Sequence, residues 1–475
     1  METLFGLVVL TVLTGWALHY YYGLGFTDLT LPLKDIYAPG DGRMTIAYFK
    51  MVISGDWAFY DVPSSVFLSA PFEFQAYDFP LPMFSVWLYI KVLSLFTSDS
   101  MIVFNLFYIS TYFLNAFVMY LVLRKLRINF FLAIAIAYLF TFLPFHYWRL
   151  PHTFYAGYFF IPLWIYYLLL LSNKKPLFFK KSMEDDKYSF DCSKKNLGII
   201  FVLILSSTWN FYYTFFFAFL IFFTLISSYM YHKNRYHIYS ALLVFSFAVV
   251  PFAVNMLPYK VYENLYSKNL NVAQRNPIEA ETLGLRITSL VFPADFHRKS
   301  SMAEFKESYS KKSLLFNESS DSSLGLIGSL GFLILIFVAF FQSYFSKTLA
   351  RLSQLNLFAL LLSTVGGFGV VFAYLVTPQI RAYNRISVFI AALAFIAIAL
   401  VINKVVKKSR HKKILFILLS LSIAAFGIWD QTPAVESFRI TEKFKTEFLS
   451  DKRFVEQVEN SFDGTQRVQI ARKLS

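Results

Sequence analysis

Apolar runs of about 20 residues recur along the chain, and this repetition constrains the fold more than any other feature of the sequence. A helix of that length crosses the hydrocarbon core of a bilayer and satisfies its own backbone hydrogen bonds there. The sequence therefore predicts an all-α polytopic membrane protein. The eleven predicted spans cover residues 4–24, 101–123, 129–147, 154–172, 197–208, 213–231, 239–257, 323–345, 357–377, 386–402 and 414–429.

The composition excludes an ordinary soluble protein. Of the 475 residues, 57% are hydrophobic and only 15% are charged, which is too few charges to cover a soluble protein of this size. The net charge of +15 does not indicate a nucleic-acid partner, because lysine and arginine mark the cytoplasmic loops of membrane proteins. Cys192 is the single cysteine, so no internal disulfide can form.

The distribution of lysine and arginine predicts the orientation of the chain in the membrane. Five loops on one side hold 20 of these residues, whereas three short loops on the other side hold three. By the positive-inside rule, the N-terminus is cytoplasmic and the C-terminus is external. The first span follows Met1 almost directly and lacks a small-residue cleavage site, so we expect a retained signal anchor.

Three longer polar segments then lie outside the membrane. They are residues 25–100, 258–322 and 430–475. Within the first segment, residues 83–97 are apolar but short and carry Lys91, which predicts a helix lying at the membrane interface.

The chain divides into a transmembrane domain, residues 1–429, and an external C-terminal segment, residues 430–475. In this segment Ser450 is a candidate N-cap, and the helix after it would carry an apolar stripe. That stripe consists of Phe454, Val455, Val458 and Phe462. We expect a short α/β fragment, truncated relative to a full domain.

Two acidic residues of the first external segment are candidate catalytic bases. Asp41 lies in PGDGR, where glycines favour a tight turn and close approach of the backbone. Asp78 lies in YDFPLP, directly before the predicted interfacial helix. A carboxylate held at the membrane surface can accept a proton from a bound hydroxyl group. The alternative for Asp41 is that it only forms the turn.

Three arginines lie in the short external loops, where the positive-inside tendency predicts few basic residues. Arg149 lies in HYWRLPHTF with His146 and His152, whereas Arg381 and Arg385 lie in PQIRAYNRISVF. A guanidinium group binds phosphate through two parallel hydrogen bonds. The arginines and His152 are therefore candidate ligands of a lipid phosphate, although His152 could equally make a structural hydrogen bond.

Other candidate sites are weaker. His297 in VFPADFHRKS is a further candidate on the same side of the membrane. A divalent metal near Asp41 stays open as a cofactor, but no ligand spacing in the sequence predicts a metal site.

An ordered series of motifs between residues 40 and 460 resembles the GT-C superfamily of membrane glycosyltransferases. The series is most similar to bacterial membrane proteins often labelled sugar or phosphoglycerol transferases. The motifs are GDGR, YDFPLP, LPFHYWRLPHTF, NFYYTFF, RAYNRISVF, IWDQT and SDKRFVEQVE. No single motif is diagnostic, and the resemblance rests on their order. Such relatives continue beyond FVEQVE into a larger external domain, from which this chain departs.

The resemblance implies a GT-C-like fold that transfers a sugar from a polyprenyl-phosphate donor to an external glycan, lipid or protein. It places the protein in a bacterial inner membrane, with membrane lipids as further partners. In GT-C enzymes an aspartate of the first external loop acts as the base on the acceptor, and Asp41 matches that position. Asp78 is the second acidic position. Arg381 and Arg385 match the arginines near the ends of later spans, which suit the donor phosphate.

Three other functions are compatible with the sequence. A transporter or flippase of lipid-linked sugars would need charged or broken elements near the membrane centre, and the middles of the predicted spans hold almost no ionisable residues. Gly366, Gly367 and Gly369 could break the span 357–377. A phosphoglycerol transferase on the same scaffold and an inactive family member are the remaining alternatives.

Overall fold

Helices account for nearly all regular structure of the described residues. The computed structural model describes residues 1–22, 28–33, 41–55, 64–65, 74–78, 80–181, 187–267, 269, 272, 274–295, 297–313, 318–433 and 442–461. The helices are α1 Glu2–Tyr22, α2 Asp41–Ser54, α3 Phe84–Leu93, α4 Ser100–Lys125, α5 Phe130–Thr141, α6 Pro144–Trp148, α7 Phe160–Leu171, α8 Lys194–Ser207, α9 Phe211–His232, α10 Arg235–Tyr266, α11 Glu279–Thr282, α12 Ile287–Val291, α13 Ser300–Lys312, α14 Gly325–Phe340, α15 Lys347–Ser363, α16 Phe368–Leu375, α17 Ser387–Val406, α18 Lys412–Gln431 and α19 Glu442–Asn460.

Short strands and 3₁₀ turns complete the described structure. Strand β1 Ser64–Ser65 pairs antiparallel with β2 Phe74–Gln75, and β3 Phe179–Lys181 pairs antiparallel with β4 Tyr188–Phe190. The 3₁₀ turns are Ala76–Asp78, Thr153–Tyr155, Glu318–Ser322, Gln342–Tyr344 and Tyr383–Ile386.

Eight helical stretches of the described chain are long and apolar enough to cross a membrane. They coincide with the predicted spans 4–24, 101–123, 129–147, 154–172, 213–231, 239–257, 386–402 and 414–429. These helices indicate an integral membrane protein, as the sequence predicts. The other predicted spans correspond to α8, to α14 and to the pair α15 and α16, which are shorter helices. The total of eleven spans and the orientation of the chain stay predictions.

Helix α17 lies at the centre of the bundle. Every side chain from Ser387 to Ala399 is buried, and the helix packs against α5, α7, α14 and α15. Its alanines allow neighbouring backbones to approach closely, as is common between helices in membranes. A Cβ atom at Gly331 of α14 would overlap the backbone carbonyl of Ala394, so α14 and α17 are in direct backbone contact.

The predicted span 357–377 is two helices instead of one. Helix α15 ends at Ser363 and α16 begins at Phe368, with Gly366 at a φ of +73° between them. Leu285, from the predicted external segment, fills the break. Its backbone N–H donates to the carbonyl oxygen of Ser363 at 2.8 Å, and its carbonyl oxygen accepts from the N–H of Val365 at 3.2 Å. The glycines therefore do break the helix, and a loop supplies the missing backbone partners.

The prediction for the C-terminal helix is wrong in its start and in its apolar face. Helix α19 begins at Glu442, so Ser450 lies inside it and cannot be its N-cap. Phe454 and Val455 are exposed, whereas Phe448 is buried against Leu31 and Met101. The reason is tertiary: the early loop and the start of α4 cover a different face from the one that the local pattern suggests. The α/β character of residues 430–475 stays a prediction, because residues 434–441 and 462–475 lie outside the described ranges.

Candidate functional site

A group of charged side chains collects at one end of the bundle, the end that the basic-residue distribution predicts to be external. Four elements supply it: the start of α2, the loop after α6, the 3₁₀ turn Glu318–Ser322 before α14, and the 3₁₀ turn Tyr383–Ile386 before α17. Each of these is an end or a connection of apolar helices. Charged side chains are tolerated there because they reach beyond the hydrocarbon core.

Asp41 and His152 form a close pair. Oδ2 of Asp41 lies 2.7 Å from Nε2 of His152, and the side chain of Asp41 is 67% exposed. The predicted tight turn at Asp41 is wrong, because Asp41 is the first residue of helix α2. An acidic residue in the first turn is favoured there by the helix dipole. Thr45, one turn later, donates to the backbone oxygens of Asp41 and Pro151, which fixes α2 against the loop that carries His152.

Arg149 is buried and paired with two carboxylates. It is the C-cap residue of the short helix α6, and it is only 2% exposed. Nη1 lies 3.3 Å from Oε2 of Glu318, and Nη2 lies 3.3 Å from Oδ2 of Asp321. A 3₁₀ helix has about three residues per turn, so residues three apart lie on one face, and Glu318 and Asp321 can therefore reach the same guanidinium group.

Arg385 lies on the other side of Glu318. Its Nη2 is 3.7 Å from Oε2 of Glu318, and its Nη1 donates to the hydroxyl group of Tyr155. The guanidinium carbon lies 4.2 Å from the ring centre of Tyr155 and 4.6 Å from that of Tyr212. Aromatic faces at this distance stabilise a buried cation. Glu318 thus bridges the two buried arginines with one carboxylate oxygen.

Arg381 lies at the edge of this group. Its Nη1 pairs with Oε2 of Glu279 in α11, and its side chain is about one third exposed. The connection to the arginine pair is through Tyr212, whose hydroxyl group accepts from the backbone N–H of Arg381 at 3.4 Å, while its ring faces Arg385. The two predicted phosphate ligands of RAYNRISVF therefore have different surroundings.

The charges of the group perturb the pKa values of its members. Burial lowers the pKa of His152 below its ordinary value of 6.5, and Arg149 and Arg385 lower it further, while Asp41 acts in the opposite direction. His152 is therefore neutral at pH 7, and its Nε2–H can donate to the Asp41 carboxylate. Burial raises the pKa of Glu318, but Arg149 and Arg385 outweigh burial, and the net pKa is below 4.5.

A second layer of charge lies behind Arg149. Burial raises the pKa of Asp321 to about 6, although Arg149 opposes the rise. Lys306 of α13 is 1% exposed, and its Nζ donates to the carbonyl oxygen of Ser320 at 3.3 Å. Burial lowers the pKa of Lys306, while Asp295 and Asp321 act against this. The lysine and the two aspartates hold the 3₁₀ turn that presents Glu318.

Two histidines that the sequence analysis singled out make hydrogen bonds that stabilise the packing of the bundle. His146 is fully buried between Thr111 and Asn115, with ring nitrogens 3.1 Å from the side chain of each. His297 lies 3.4 Å from Asp430, whose other oxygen accepts from the backbone N–H of Leu326 at 2.6 Å. His297 thus joins the end of α18 to the start of α14, away from the arginine pair.

Asp78 ends the 3₁₀ turn Ala76–Asp78, but its side chain lies outside the described part of the structure. The residues before it pack on α10: Ala76 is buried with Tyr259, and the rings of Tyr77 and Tyr262 are 4.2 Å apart. Its role as a second acidic position stays a prediction.

Sequence reasoning missed the carboxylates and aromatic residues that complete the group. Glu318, Asp321, Tyr155 and Tyr212 all contact the arginines. A usable signal was present: two acids stand three apart immediately before an apolar helix, and buried arginines require counter-charges. Nothing in the linear sequence pairs those acids with Arg149, which is 169 positions before Glu318, or with Arg385, which follows them on another element.

An apolar cavity of about 1070 Å³ opens between α3, α8 and α10. Exposed side chains such as Phe201, Val254 and Leu257 line it. Its polar edge includes Ser85 and Thr208, whose hydroxyl groups are 2.8 Å apart. Thr208 lies at the end of α8, shortly before Tyr212, so the chain runs directly from the edge of this cavity to the arginine pair.

In the described ranges, no group of three or more histidine, cysteine, aspartate or glutamate side chains is arranged to hold a metal ion. The possible divalent metal near Asp41 therefore stays an open expectation of the sequence.

Comparisons with known proteins give a partial family match and a distant structural likeness. A family model described as a domain of unknown function (DUF6311) matches residues 80–278. No curated protein matches the chain. Among solved structures, the chain is similar to the apo oligosaccharyltransferase of Archaeoglobus fulgidus, with a TM-score of 0.42 and 12% sequence identity. The likeness covers 91% of this chain and 56% of that structure, so the chain spans little more than half of its length.

Proposed function

We propose that the protein is a membrane glycosyltransferase that moves a sugar from a polyprenyl-phosphate donor to an acceptor at the predicted external face. The observation that carries this proposal is the exposed Asp41 carboxylate, paired with neutral His152, beside the two buried arginines Arg149 and Arg385. A base and an anion site at one membrane surface are the two groups that such a transfer needs.

In the proposed reaction, the Asp41 carboxylate accepts the proton of an acceptor hydroxyl group. The acceptor oxygen forms a bond to the anomeric carbon of the sugar, and the bond between that carbon and the phosphate oxygen breaks. The phosphate leaves with the bonding electrons. His152 is neutral, so it orients the Asp41 carboxylate through a hydrogen bond. It adds no positive charge that would make the carboxylate a weaker base.

The arginines would stabilise the phosphate that leaves. Guanidinium groups in a buried, preorganised site stabilise developing negative charge more strongly than water does. Arg385 has an Nε without a hydrogen-bond partner among the described residues, and so does Arg149, which leaves donor capacity for an anion. Arg381, a further predicted phosphate ligand, would contribute from the edge of the site.

The apolar cavity supports a lipid-linked donor over a soluble one. It has room for several isoprenoid units and is bounded by α10, which extends beyond the predicted span to Tyr266. The tail would remain in this cavity while the phosphate and sugar meet the charged group. The exposed side of Asp41 leaves room for an external acceptor, which would be a glycan, a lipid or a protein.

The test is sugar transfer by purified protein in lipid vesicles supplied with a polyprenyl-phosphate-linked sugar and mixed acceptors. We expect wild-type protein to release polyprenyl phosphate, and Asp41→Asn to lose this activity while it remains inserted and folded. Equal turnover by Asp41→Asn would disprove the assignment of the base. Movement of an unaltered donor across sealed vesicles, without release of phosphate, would instead identify a flippase.

A further inference from the structure

We propose that the Glu318 carboxylate occupies, in the unliganded protein, the position between Arg149 and Arg385 that the phosphate of the ligand takes. The phosphate would displace the carboxylate when the ligand binds. This inference rests on the proposed function for the identity of the ligand. Its physical basis is a single carboxylate oxygen, Oε2 of Glu318, which contacts one nitrogen of each guanidinium group.

The three side chains differ in exposure in the way that displacement requires. Arg149 and Arg385 are 2% and 9% exposed, whereas the side chain of Glu318 is 38% exposed. The carboxylate therefore lies between the buried cations and the open side of the site. An anion that enters from that side meets Glu318 first and can take its place without moving the arginines.

The counter-charges of the two arginines are unequal. Arg149 keeps Asp321 as a second carboxylate partner, and Lys306 and Ser320 hold the turn that carries Asp321. For Arg385, the described residues supply Glu318 as the single carboxylate, and its other contacts are the neutral Tyr155 and Tyr212. Departure of Glu318 would leave a buried cation uncompensated, so Glu318 leaves only when another anion replaces it.

Glu318 thus acts as a specificity-determining residue. A neutral sugar cannot replace the carboxylate, because it brings no charge for Arg385. A phosphate monoester or diester offers more acceptor oxygens than a carboxylate and can bridge both forks. The site therefore discriminates for phosphate-bearing ligands by charge exchange, and a displaced Glu318 moves toward the exposed side, where Asp41 and His152 lie.

The test measures binding of geranylgeranyl phosphate to purified protein, without any turnover. Glu318→Gln removes the competing charge and keeps the shape, so the dissociation constant should fall by about tenfold or more, the size expected for one charge-assisted contact. Glu318→Asp withdraws the carboxylate by one methylene and should give an intermediate value. Glu307→Gln, an exposed glutamate on α13 that pairs with Lys311, is the matched control and should bind like wild type.

Unchanged or weaker binding by a folded Glu318→Gln protein, with the melting temperature as the check on folding, would overturn the inference. Sugar transfer is measured separately on the same samples. Tighter phosphate binding without any transfer would count against the glycosyltransferase proposal and leave the role of Glu318 standing. Normal sugar transfer by Glu318→Gln with unchanged phosphate binding would disprove the role of Glu318 and leave the glycosyltransferase proposal standing.

A second, independent observation concerns the opposite end of the bundle. We infer that a pocket at the ends of α1, α4, α5 and α17 binds the headgroup of an anionic phospholipid. The pocket has a volume of about 420 Å³ and is lined by Arg124, Arg127, Lys407 and Glu2. These residues lie at or next to the ends of four candidate membrane spans, which is the depth of lipid headgroups.

Among the described residues, the lining of the pocket has an excess of positive charge over negative charge. Its one carboxylate, Glu2, pairs with Arg124 at 2.8 Å. Lys407 donates to the backbone oxygen of Arg127 at 3.3 Å, so its ammonium group lies beside the backbone of Arg127. On the membrane side, Phe5 and Val405 are 59% and 63% exposed, which offers an apolar path for acyl chains.

Native mass spectrometry of detergent-purified protein titrated with phosphatidylglycerol tests this site. The double variant Arg127→Gln/Lys407→Gln should bind the first lipid about 30-fold more weakly, since each basic residue near a lipid surface contributes about a fivefold factor in affinity. Lys412→Gln/Lys413→Gln removes the same charge outside the pocket and should keep the affinity. An equal loss of lipid affinity in both double variants would show that the basic residues attract lipid only through their overall charge, and would overturn the site. Binding of soluble glycerol phosphate as tight as that of phosphatidylglycerol would show that the pocket is a site for free phosphate instead.

Discussion

Oδ2 of Asp41 and Nε2 of His152 lie 2.7 Å apart, although the residues are 111 positions apart in the chain. The pair joins the first helix of the early loop to the loop between α6 and α7. The position of each side chain depends on the other, and the proposed role of the pair can be tested from both sides.

Replacing His152 should affect the chemical step more than donor binding. In His152→Gln the hydrogen bond to Asp41 is weakened, so we expect kcat to fall by about tenfold with little change in KM for the donor, whereas Asp41→Asn should lose about 100-fold or more. Steady-state kinetics with a lipid-linked sugar provides the measurement. A full kcat in a folded His152→Gln protein would show that the pair has no part in transfer.

The two arginines of RAYNRISVF should respond differently to the same substitution. Arg385→Lys keeps the charge but loses the planar fork and the stacking on Tyr155 and Tyr212, so phosphate affinity should fall by about tenfold. Arg381→Lys, four positions earlier and more exposed, should lose less than about threefold. The measurement is the dissociation constant of geranylgeranyl phosphate for each variant. Equal losses would mean that both residues bind the phosphate directly.

Stability should depend on pH through Asp321. Its pKa is about 6 in the folded protein, above the ordinary 3.8, so the folded chain binds a proton that the unfolded chain still lacks at pH 5. The contribution of Asp321 to the free energy of unfolding therefore rises as pH falls from 7.5 to 5. The melting temperature of wild type should rise over this range relative to that of Asp321→Asn. Parallel curves for the two proteins would contradict the raised pKa.

Close contact between α14 and α17 should make Gly331 intolerant of a side chain. Gly331→Ala places a methyl group against the carbonyl of Ala394, and overpacking of this kind costs about 1–3 kcal/mol. Gly198→Ala in α8 is the control, since no atom lies within 4 Å of the added carbon. Melting temperatures of the two variants give the comparison. A stable Gly331→Ala protein would mean that α14 can move away from α17 at little cost.

Much of the architecture could be predicted from the sequence, because the length and the ends of each apolar run decide where a membrane-spanning helix forms, and both are properties of the local sequence. Eight of the predicted spans correspond to long apolar helices, and the predicted break between the spans 197–208 and 213–231 separates α8 from α9. The local sequence pattern gave a wrong prediction where a contact with a distant part of the chain decides which face of a helix is buried. The stripe through Phe454 predicted the wrong face of α19, because Phe448 meets Leu31 and Met101 instead.

The candidate site shows the same division. The sequence by itself determined which polar residue types stand outside the predicted spans. Arg149, His152, Arg381 and Arg385 were marked by their position in short external loops, and Asp41 was marked by its place in PGDGR of the first external segment. Only the tertiary structure decided that His152 meets Asp41 and that Glu318 bridges Arg149 and Arg385. The physical reason is that the hydrophobicity of a segment is a property of its own residues. An ion pair between distant residues depends instead on which helix ends the packing of the bundle brings together.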